Sequence, residues 1–286
     1  MTTLITGGTG NTGLALAKLL QNAHRPVVIA SRSGEAPKPF SAVKFNWFEP
    51  NTYESALSDS SIDRIYIVGP PGSIKSSVVT SFIDFAIAKG IKRYVLLSAT
   101  TFNPQSSSAI LASVVHQYLL DKKVDYAIIR PTTFMQNFGS FFVPGIKYHN
   151  QFFSATEDGR IPWVSTEDVA QAAFEALTAD VSPNKDIFVV GPDLYSYADV
   201  ARLLSDLLGR PIVYKRLTIE EQTAFYAKVG LHPDLAKTLA GNQKGIQEGS
   251  EEAIFNDPKL AEEGRKFIGS HTLKQYLQDN MELWSN

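Results

Sequence analysis

The stretch TLITGGTGNTGLALAKLL, residues 3–20, runs from an apolar β-branched segment through a glycine turn into apolar residues at helical spacing. Its turn reads Gly8-x-Gly10-x-x-Gly13, and Gly7 adds a G-x-x-G-x-x-G spacing. Glycine at these places permits a tight turn, close approach of the backbone to a pyrophosphate, and close packing of helix on strand. The unpaired N–H groups of the helix N-terminus then face the anion. The spacing predicts a dinucleotide site at Gly7, Gly8, Gly10 and Gly13; the plainer alternative is a turn that serves the backbone alone.

Outward from this turn, strand-like runs recur at Thr3–Thr6, Val27–Ala30, Val43–Trp47, Arg64–Val68, Arg93–Ser98 and Asp125–Arg130. Helical spacing fills the intervals, as at Gly13–Gln21 and Val78–Ala88. This alternation predicts an α/β fold with a doubly wound parallel sheet, Rossmann-like, covered on both faces. Ile161–Val164 reads as a further strand. Ser165-x-x-Asp168, Ser196-x-x-Asp199 and Thr218-x-x-Glu221 read as helix starts with a hydroxyl cap and an acid three residues on. The helix from Asp199 is expected to end at Gly209. Residues 218–256 read as a small helical cap broken at Gly230, Pro233 and Gly241. The expected division is a dinucleotide-binding domain over 1–150, followed by remaining sheet elements and a helical substrate-binding part over 151–286.

The second strand ends in VVIASRS, residues 27–33. An acid at this place bonds the ribose 2′-hydroxyl in NAD sites. Ser31, Arg32 and Ser33 instead offer a guanidinium flanked by hydroxyls, which suits the 2′-phosphate of NADP. A solvated loop arginine is the alternative.

The net charge of -2 and the absence of a long basic run leave no nucleic-acid footprint and no support for a membrane surface. The chain has no cysteine, which excludes disulfides, thiolate catalysis and zinc–cysteine sites. Its histidines are scattered, so no metal is expected. With no charged leader and no membrane-length apolar run, the cytosol is the expected location.

Together with YVLLSAT (94–100), IIRPTTFMQNF (128–138), FFSATEDGRIPWVSTEDVAQAAF (152–174) and FVVGPDLYSYADVARLLSDLLGRPI (188–212), the glycine turn resembles the NmrA-like atypical short-chain dehydrogenases. The resemblance covers nearly the whole chain and is nearest to the clavine-type dehydrogenases of fungal ergot alkaloid pathways. It implies NADPH bound across the carboxyl ends of the strands and reduction of an alkaloid iminium. Carried over by position, it implies that Thr9, Gly10, Asn11 and Thr12 meet the pyrophosphate and that Asn46 approaches the adenine. Val68, Gly69, Pro70 and Pro71 would approach the ribose. Ser98, Ala99, Thr132, Thr133 and Phe134 would lie at the nicotinamide end. Relatives often carry Asp where Asn46 stands.

Typical members of the wider superfamily carry Tyr-x-x-x-Lys on the helix after the fifth strand, where lysine lowers the tyrosine pKa and tyrosine supplies a proton. Counting back from Asp125–Arg130 places those roles near Ser108 and Ala112, which cannot perform them, and the helix is read as lacking the pair. An iminium substrate removes the need, because hydride addition to its carbon gives a neutral amine with no alkoxide to protonate. Two other donors are candidates for catalysis. His116 either donates to substrate or is structural, and Ser98 either bonds the carboxamide or ends its own strand. Arg130 either reaches an acid in the core or sets the loop.

Residues 134–163 are dense in aromatic side chains, and Phe138, Phe141 and Phe142 fit one helical face. The segment follows the carboxyl end of the sixth strand, where ligands of open α/β sheets bind. Phe102, Phe134, Phe138, Phe141, Tyr148, Phe153, Trp163 and Tyr226 are candidate substrate contacts through stacking and cation–π attraction, with core packing as the alternative. The function expected is NADPH-dependent reduction of an iminium or azadiene of a fungal prenylated indole alkaloid, alone or coupled to stereoselective Diels–Alder cyclisation. The alternatives are a non-catalytic NADP-sensing regulator and a quinone or azo reductase. The partner expected is a small molecule.

Overall fold

The computed structural model describes residues 1–70, 72, 75–102 and 111–285. The glycine turn joins β1 (Thr2–Thr6) to α1 (Asn11–Asn22), and β2 (Val27–Ser31), β3 (Ser41–Lys44), α2 (Asn51–Ala56), β4 (Ile62–Ile67), α3 (Ser76–Ala88) and β5 (Arg93–Leu97) follow. Next come α4 (Leu111–Lys122), β6 (Asp125–Pro131), α5 (Val143–His149), β7 (Gln151–Ser154), β8 (Ile161–Pro162), α6 (Thr166–Thr178) and β9 (Lys185–Val190). The last third holds β10 (Leu194–Tyr195), α7 (Tyr197–Leu208), β11 (Val213–Arg216), α8 (Ile219–Lys228) and α9 (Pro233–Gln247). It closes with α10 (Ser250–Asn256), α11 (Pro258–Glu262), β12 (Lys266–Ile268) and α12 (Leu273–Asp279).

Eight strands form one sheet in the order β12-β9-β6-β5-β4-β1-β2-β3. β1 sits between β2 and β4, with Leu4 opposite Val28 and Ile65, and both pairings are parallel. The doubly wound α/β sheet is therefore present. β8 pairs with β10, and β7 with β11, in two small separate sheets.

The chain divides into two compact units: unit one is Met1–Arg130 with Val169–Ile187, and unit two is Pro131–Asp168 with Phe188–Asn286. They interleave in sequence, whereas the expected boundary was a single one at 150.

In unit one, Phe45, Trp47, Tyr53 and Phe82 form a buried aromatic knot, with Phe45 and Phe82 centroids 4.8 Å apart. β3 ends at Lys44 where a strand to Trp47 was expected. Phe45 N still donates to the Ser31 carbonyl at 2.8 Å, and the buried rings of Phe45 and Trp47, each worth about 2–3 kcal/mol, follow it. Tyr53 Oη donates to the Trp47 carbonyl at 2.8 Å.

In unit two, Phe138, Phe142, Phe152, Trp163 and Tyr197 share a core with Leu204, Leu277 and Trp284. Both capping boxes close as expected. Ser196 Oγ accepts from Asp199 N, and Thr218 Oγ1 from Glu221 N, each at 3.1 Å. α7 ends at Gly209, whose φ of 63° is left-handed. Two expectations fail here. α9 runs through Gly241, and the chain breaks instead at Gly249, with φ of 89°. The third capping box does not form, because Asp168 turns to Ser270 and His271, while Ser165 Oγ accepts from Glu167 N at 3.1 Å.

Among the described residues no helix is long and apolar enough to cross a membrane. No group of three His, Asp or Glu side chains among them is placed to hold a metal.

Candidate active site

Unit one carries the glycine turn in the form its spacing requires. Gly7 has φ of 64°, and Gly10 N donates to the Gly7 carbonyl at 3.0 Å, closing the turn. A Cβ on Gly13 would lie 2.5 Å from Gly7 O and 2.7 Å from Gly8 Cα, so only glycine lets α1 pack this close to β1. Gly10 caps α1 without a side-chain bond and no acid occupies the first turn. The N–H groups there are free for an anion, and Thr9 and Asn11 are exposed beside them. Thr12 is buried. Thr6 fixes the neighbouring edge, its Oγ1 accepting from Val68 N at 2.9 Å.

At the end of β2, Ser31 Oγ donates to the Glu35 carbonyl at 2.7 Å and Glu35 N donates to Ser33 Oγ at 3.2 Å. The two hydroxyls thus shape the loop. Arg32 between them is exposed and pairs with none of the described residues. Asn46 is spent locally, donating to Glu49 Oε1 at 2.7 Å and accepting from Phe48 N at 3.1 Å. Val68 and Gly69 follow β4, Pro70 is buried, and Pro71 lies outside the described residues. Gly69 has no room for a Cβ beside Leu111 at the start of α4.

Ser98 follows β5, and its N–H donates to the Ile129 carbonyl at 2.8 Å. Its Oγ is buried without a partner among the described residues. Such a hydroxyl is costly unless a further group meets it. Beyond it, Ala99, Thr100 and Phe102 turn their carbonyls to Arg130, which reaches them at 3.3, 3.0 and 2.7 Å. The same guanidinium bonds Asp186 Oδ2 at 2.6 Å, while His116 Nε2 lies 3.1 Å from Asp186 Oδ1. Burial pushes the Asp186 carboxyl up, but the His116 and Arg130 hydrogen bonds and charges outweigh it and hold the group below its ordinary range. Both roles considered for Arg130 are therefore filled at once. His116 is 2% exposed, and its Nδ1 has no partner among the described residues. With Nε2 on Asp186, the ring is packed into the unit rather than presented at a surface.

Ser108 lies outside the described residues, and Ala112 is in α4. The reading of this helix needs one correction, because Tyr118 and Lys122 do have Tyr-x-x-x-Lys spacing. They occupy its far end. Lys122 closes α4 three residues before Asp125 opens β6, at the amino ends of the strands, while Leu111 meets Gly69 beyond the carboxyl end of β4. A helix of 12 residues spans about 18 Å. Tyr118 Oη donates to Asp84 Oδ2 at 2.6 Å, and Lys122 Nζ lies 2.5 Å from Asp84 Oδ1. Burial and the Asp84 hydrogen bond raise the Tyr118 pKa, whereas a tyrosine acid activated by lysine needs it lowered. This pair ties α3 to α4 on the surface.

In unit two, Thr132 is committed, its Oγ1 donating to the Pro162 carbonyl at 2.6 Å. Thr133 lies by the buried Glu251, with Oγ1 3.3 Å from Oε2, and Phe134 bridges to Val164. The aromatic residues separate into two groups. Phe138 and Trp163 are buried at 0% and 1%, with Trp163 Nε1 donating to the Tyr195 carbonyl, so these two are core. Phe141 and Tyr148 are exposed, and Phe141, Phe153 and Phe225 meet edge to face. Phe138, Phe141 and Phe142 do not share a helical face, because a turn precedes α5 and points Phe141 outward. Tyr226 Oη accepts from Gln243 Nε2 at 2.8 Å. In unit one, Phe102 is half-buried. The Arg130–Asp186–His116 network had no sequence signal beyond the arginine before Pro131.

A family model described as NAD(P)H-binding matches residues 7–180. Agroclavine dehydrogenase from Claviceps fusiformis is 34% identical, with 99% of each chain covered. Festuclavine synthase II from Penicillium roqueforti is 36% identical over 90% of this chain and 91% of its own. The fold is shared with an NADPH-dependent quinone oxidoreductase from Escherichia coli solved with NADPH, at TM-score 0.78 and 20% identity, covering 98% of this chain and 99% of that one. It is shared also with a Citrobacter triphenylmethane reductase complexed with NADP(H), at TM-score 0.77 and 17% identity, covering 98% and 100%. The chain belongs to the NAD(P)H-binding family and is a relative of the agroclavine dehydrogenases and festuclavine synthases.

Proposed function

We propose that the protein is an NADPH-dependent reductase whose substrate is an iminium or azadiene of a fungal prenylated indole alkaloid. The observation that carries this reading is the state of α4. Its one Tyr-x-x-x-Lys pair is bound to Asp84 at the far end of the helix, and His116 Nε2 is bound to Asp186, so the described helix holds no tyrosine–lysine dyad at its Leu111 end. Hydride moves from the dihydronicotinamide to the iminium carbon, the C=N π pair becomes the nitrogen lone pair, and the products are a neutral amine and the oxidised nicotinamide. No acid is required at that step. Likeness to agroclavine dehydrogenase over 99% of the chain supports the substrate class.

The glycine turn would hold the pyrophosphate and Arg32 the 2′-phosphate. Ser98, with its unpartnered buried Oγ, fits a carboxamide. Among the aromatic residues, Phe141 and Tyr148 keep exposed ring surface that would stack on an indole, and the Tyr148 ring already carries the Lys147 ammonium 6.0 Å from its centroid.

The test is incubation of the protein with NADPH and a panel of indole iminium compounds, following NADPH absorbance and product mass. Loss of NADPH matched by a neutral product one mass unit heavier than the iminium cation supports reduction. Unchanged NADPH across the panel, with NADPH still bound, favours a dinucleotide sensor. A cyclised product of altered stereochemistry adds a directed cycloaddition.

A further inference from the structure

We infer that Glu251 in α10 is the counter-charge that selects a cationic substrate nitrogen, in a subsite of unit two completed by Gln222 and Tyr226. The assignment rests on the iminium reading above and names the group that distinguishes a charged substrate from a neutral one.

A helix on the outside of a domain ordinarily turns an apolar stripe inward. Two helices of unit two do the reverse. The one buried residue of α8 is Gln222, 1% exposed, and the one buried residue of α10 is Glu251, 3% exposed. Burying an amide or a carboxylate is costly unless polar groups meet it, so both helices are docked onto a polar interior.

That interior is built around the phenol of Tyr197. Burial first, then the neighbouring Tyr226, Tyr214 and Glu251, hold this phenol well above its ordinary pKa, so it stays a neutral donor. Gln243 fixes Tyr226: its Oε1 accepts from Ala155 N at 2.6 Å, and its Nε2 donates to Tyr226 Oη at 2.8 Å. Burial raises the Tyr226 pKa as well, and the amides of Gln243 and Gln222 oppose it, which puts the head of Gln222 at the same hydroxyl. The Gln222 Oε1 is nonetheless buried without a partner among the described residues. A glutamine that only held the fold would use both ends of its amide. The acceptor left over belongs to the cluster that holds the carboxylate, and a ligand with positive charge or an N–H would satisfy it.

The cluster also stands at the correct place in the fold. Glu251 Oε1 and Oε2 lie 3.4 and 3.3 Å from Thr133 Oγ1, just past the end of β6 at Pro131. Ligands of open α/β sheets bind beyond the carboxyl ends of the strands. Hydride addition turns the bound cation into a neutral amine, so a carboxylate at the nitrogen stabilises the substrate more than the product. Glu251 therefore lowers KM without raising kcat and gives up the product readily.

The test is equilibrium dialysis of the full protein, saturated with NADPH, against 2-methyl-β-carbolinium iodide and carbazole, which share three fused rings and differ in charge. The cation is expected to bind about tenfold tighter or more. Glu251→Gln is expected to remove that preference and leave carbazole and NADPH unchanged, whereas Glu252→Gln, at the neighbour paired with Arg160, leaves the preference intact. Gln222→Met is expected to weaken the cation about threefold and to keep or raise the melting temperature, because an unpartnered carbonyl is removed. It replaces Glu251→Gln if that variant unfolds. With any indole iminium that the wild type reduces, Glu251→Gln should raise KM about tenfold and hold kcat within about twofold. Equal affinity for the two probes, or a preference that survives Glu251→Gln or Gln222→Met unaltered, would overturn the subsite even if iminium compounds are reduced. A preference lost in Glu251→Gln, with no iminium turned over by the wild type, would support the subsite and strike the reductase reading alone.

Discussion

Arg130 bonds Asp186 at 2.6 Å with the same guanidinium that gathers the carbonyls of Ala99, Thr100 and Phe102, so one ion pair sets the segment after β5. Removing the acid leaves Arg130 and His116 buried together without their shared partner. Asp186→Ala is expected to cost about 3–5 kcal/mol of stability, measured by urea unfolding. A loss of less than about 1 kcal/mol would mean that the pair contributes no more than a surface contact.

The same carboxyl makes stability depend on pH. Its folded pKa lies below the unfolded value, so its contribution is present above about pH 4 and is lost as pH falls through the folded pKa. Unfolding free energy measured downward from pH 6 should fall more steeply in the wild type than in Asp186→Asn. Parallel acid limbs would contradict the assignment.

Tyr118 and Lys122 test the reading of α4. Tyr118→Phe keeps the ring and removes only the bond to Asp84, so turnover should stay within about twofold and stability within about 1 kcal/mol. A hundredfold fall in kcat with unchanged melting would make Tyr118 the proton donor and refute the surface role.

Gly13→Ala puts a methyl group 2.5 Å from a backbone carbonyl that cannot move without opening the turn. NADPH binding, followed by fluorescence titration, is expected to weaken at least tenfold. Wild-type affinity in this variant would show that α1 does not meet the cofactor.

What was legible carries local signals. The glycine turn, the β-branched runs other than Val43–Trp47, and the capping boxes of α7 and α8 each lie within a few residues, and the structure forms them where the sequence places them. What was misread depended on distant partners. Beyond the end of β3, Phe45 and Trp47 pack on the Phe82 ring from α3, about 35 positions away. Asp168 abandons its own helix start for His271, 103 positions on. Arg130 and Asp186 are 56 positions apart, and nothing near either residue identifies the other. Glycine is a poor helix former, which makes Gly241 read as a break, yet α9 runs through it from Pro233 to Gln247. The Tyr118–Lys122 spacing shows the converse, since a motif has chemistry only at the correct end of its helix.

Arg32 tests the cofactor preference. Arg32→Ala removes an exposed guanidinium without disturbing the Ser31–Glu35 loop bonds, so NADPH should weaken about tenfold or more while NADH changes little. Equal losses for the two would refute the 2′-phosphate contact.

The proposed reaction delivers hydride to a carbon–nitrogen double bond without a protein acid. The most direct measurement is a pair of single turnovers, with NADPH deuterated at C4 of the nicotinamide in the R and in the S configuration, an indole iminium substrate and ordinary water. The expected result is one deuterium at the former iminium carbon from one of the two labelled cofactors and none from the other, with a rate independent of His116→Asn beyond its effect on stability. Product carrying no deuterium from either cofactor, or a single-turnover rate that collapses in a well-folded His116→Asn, would contradict it.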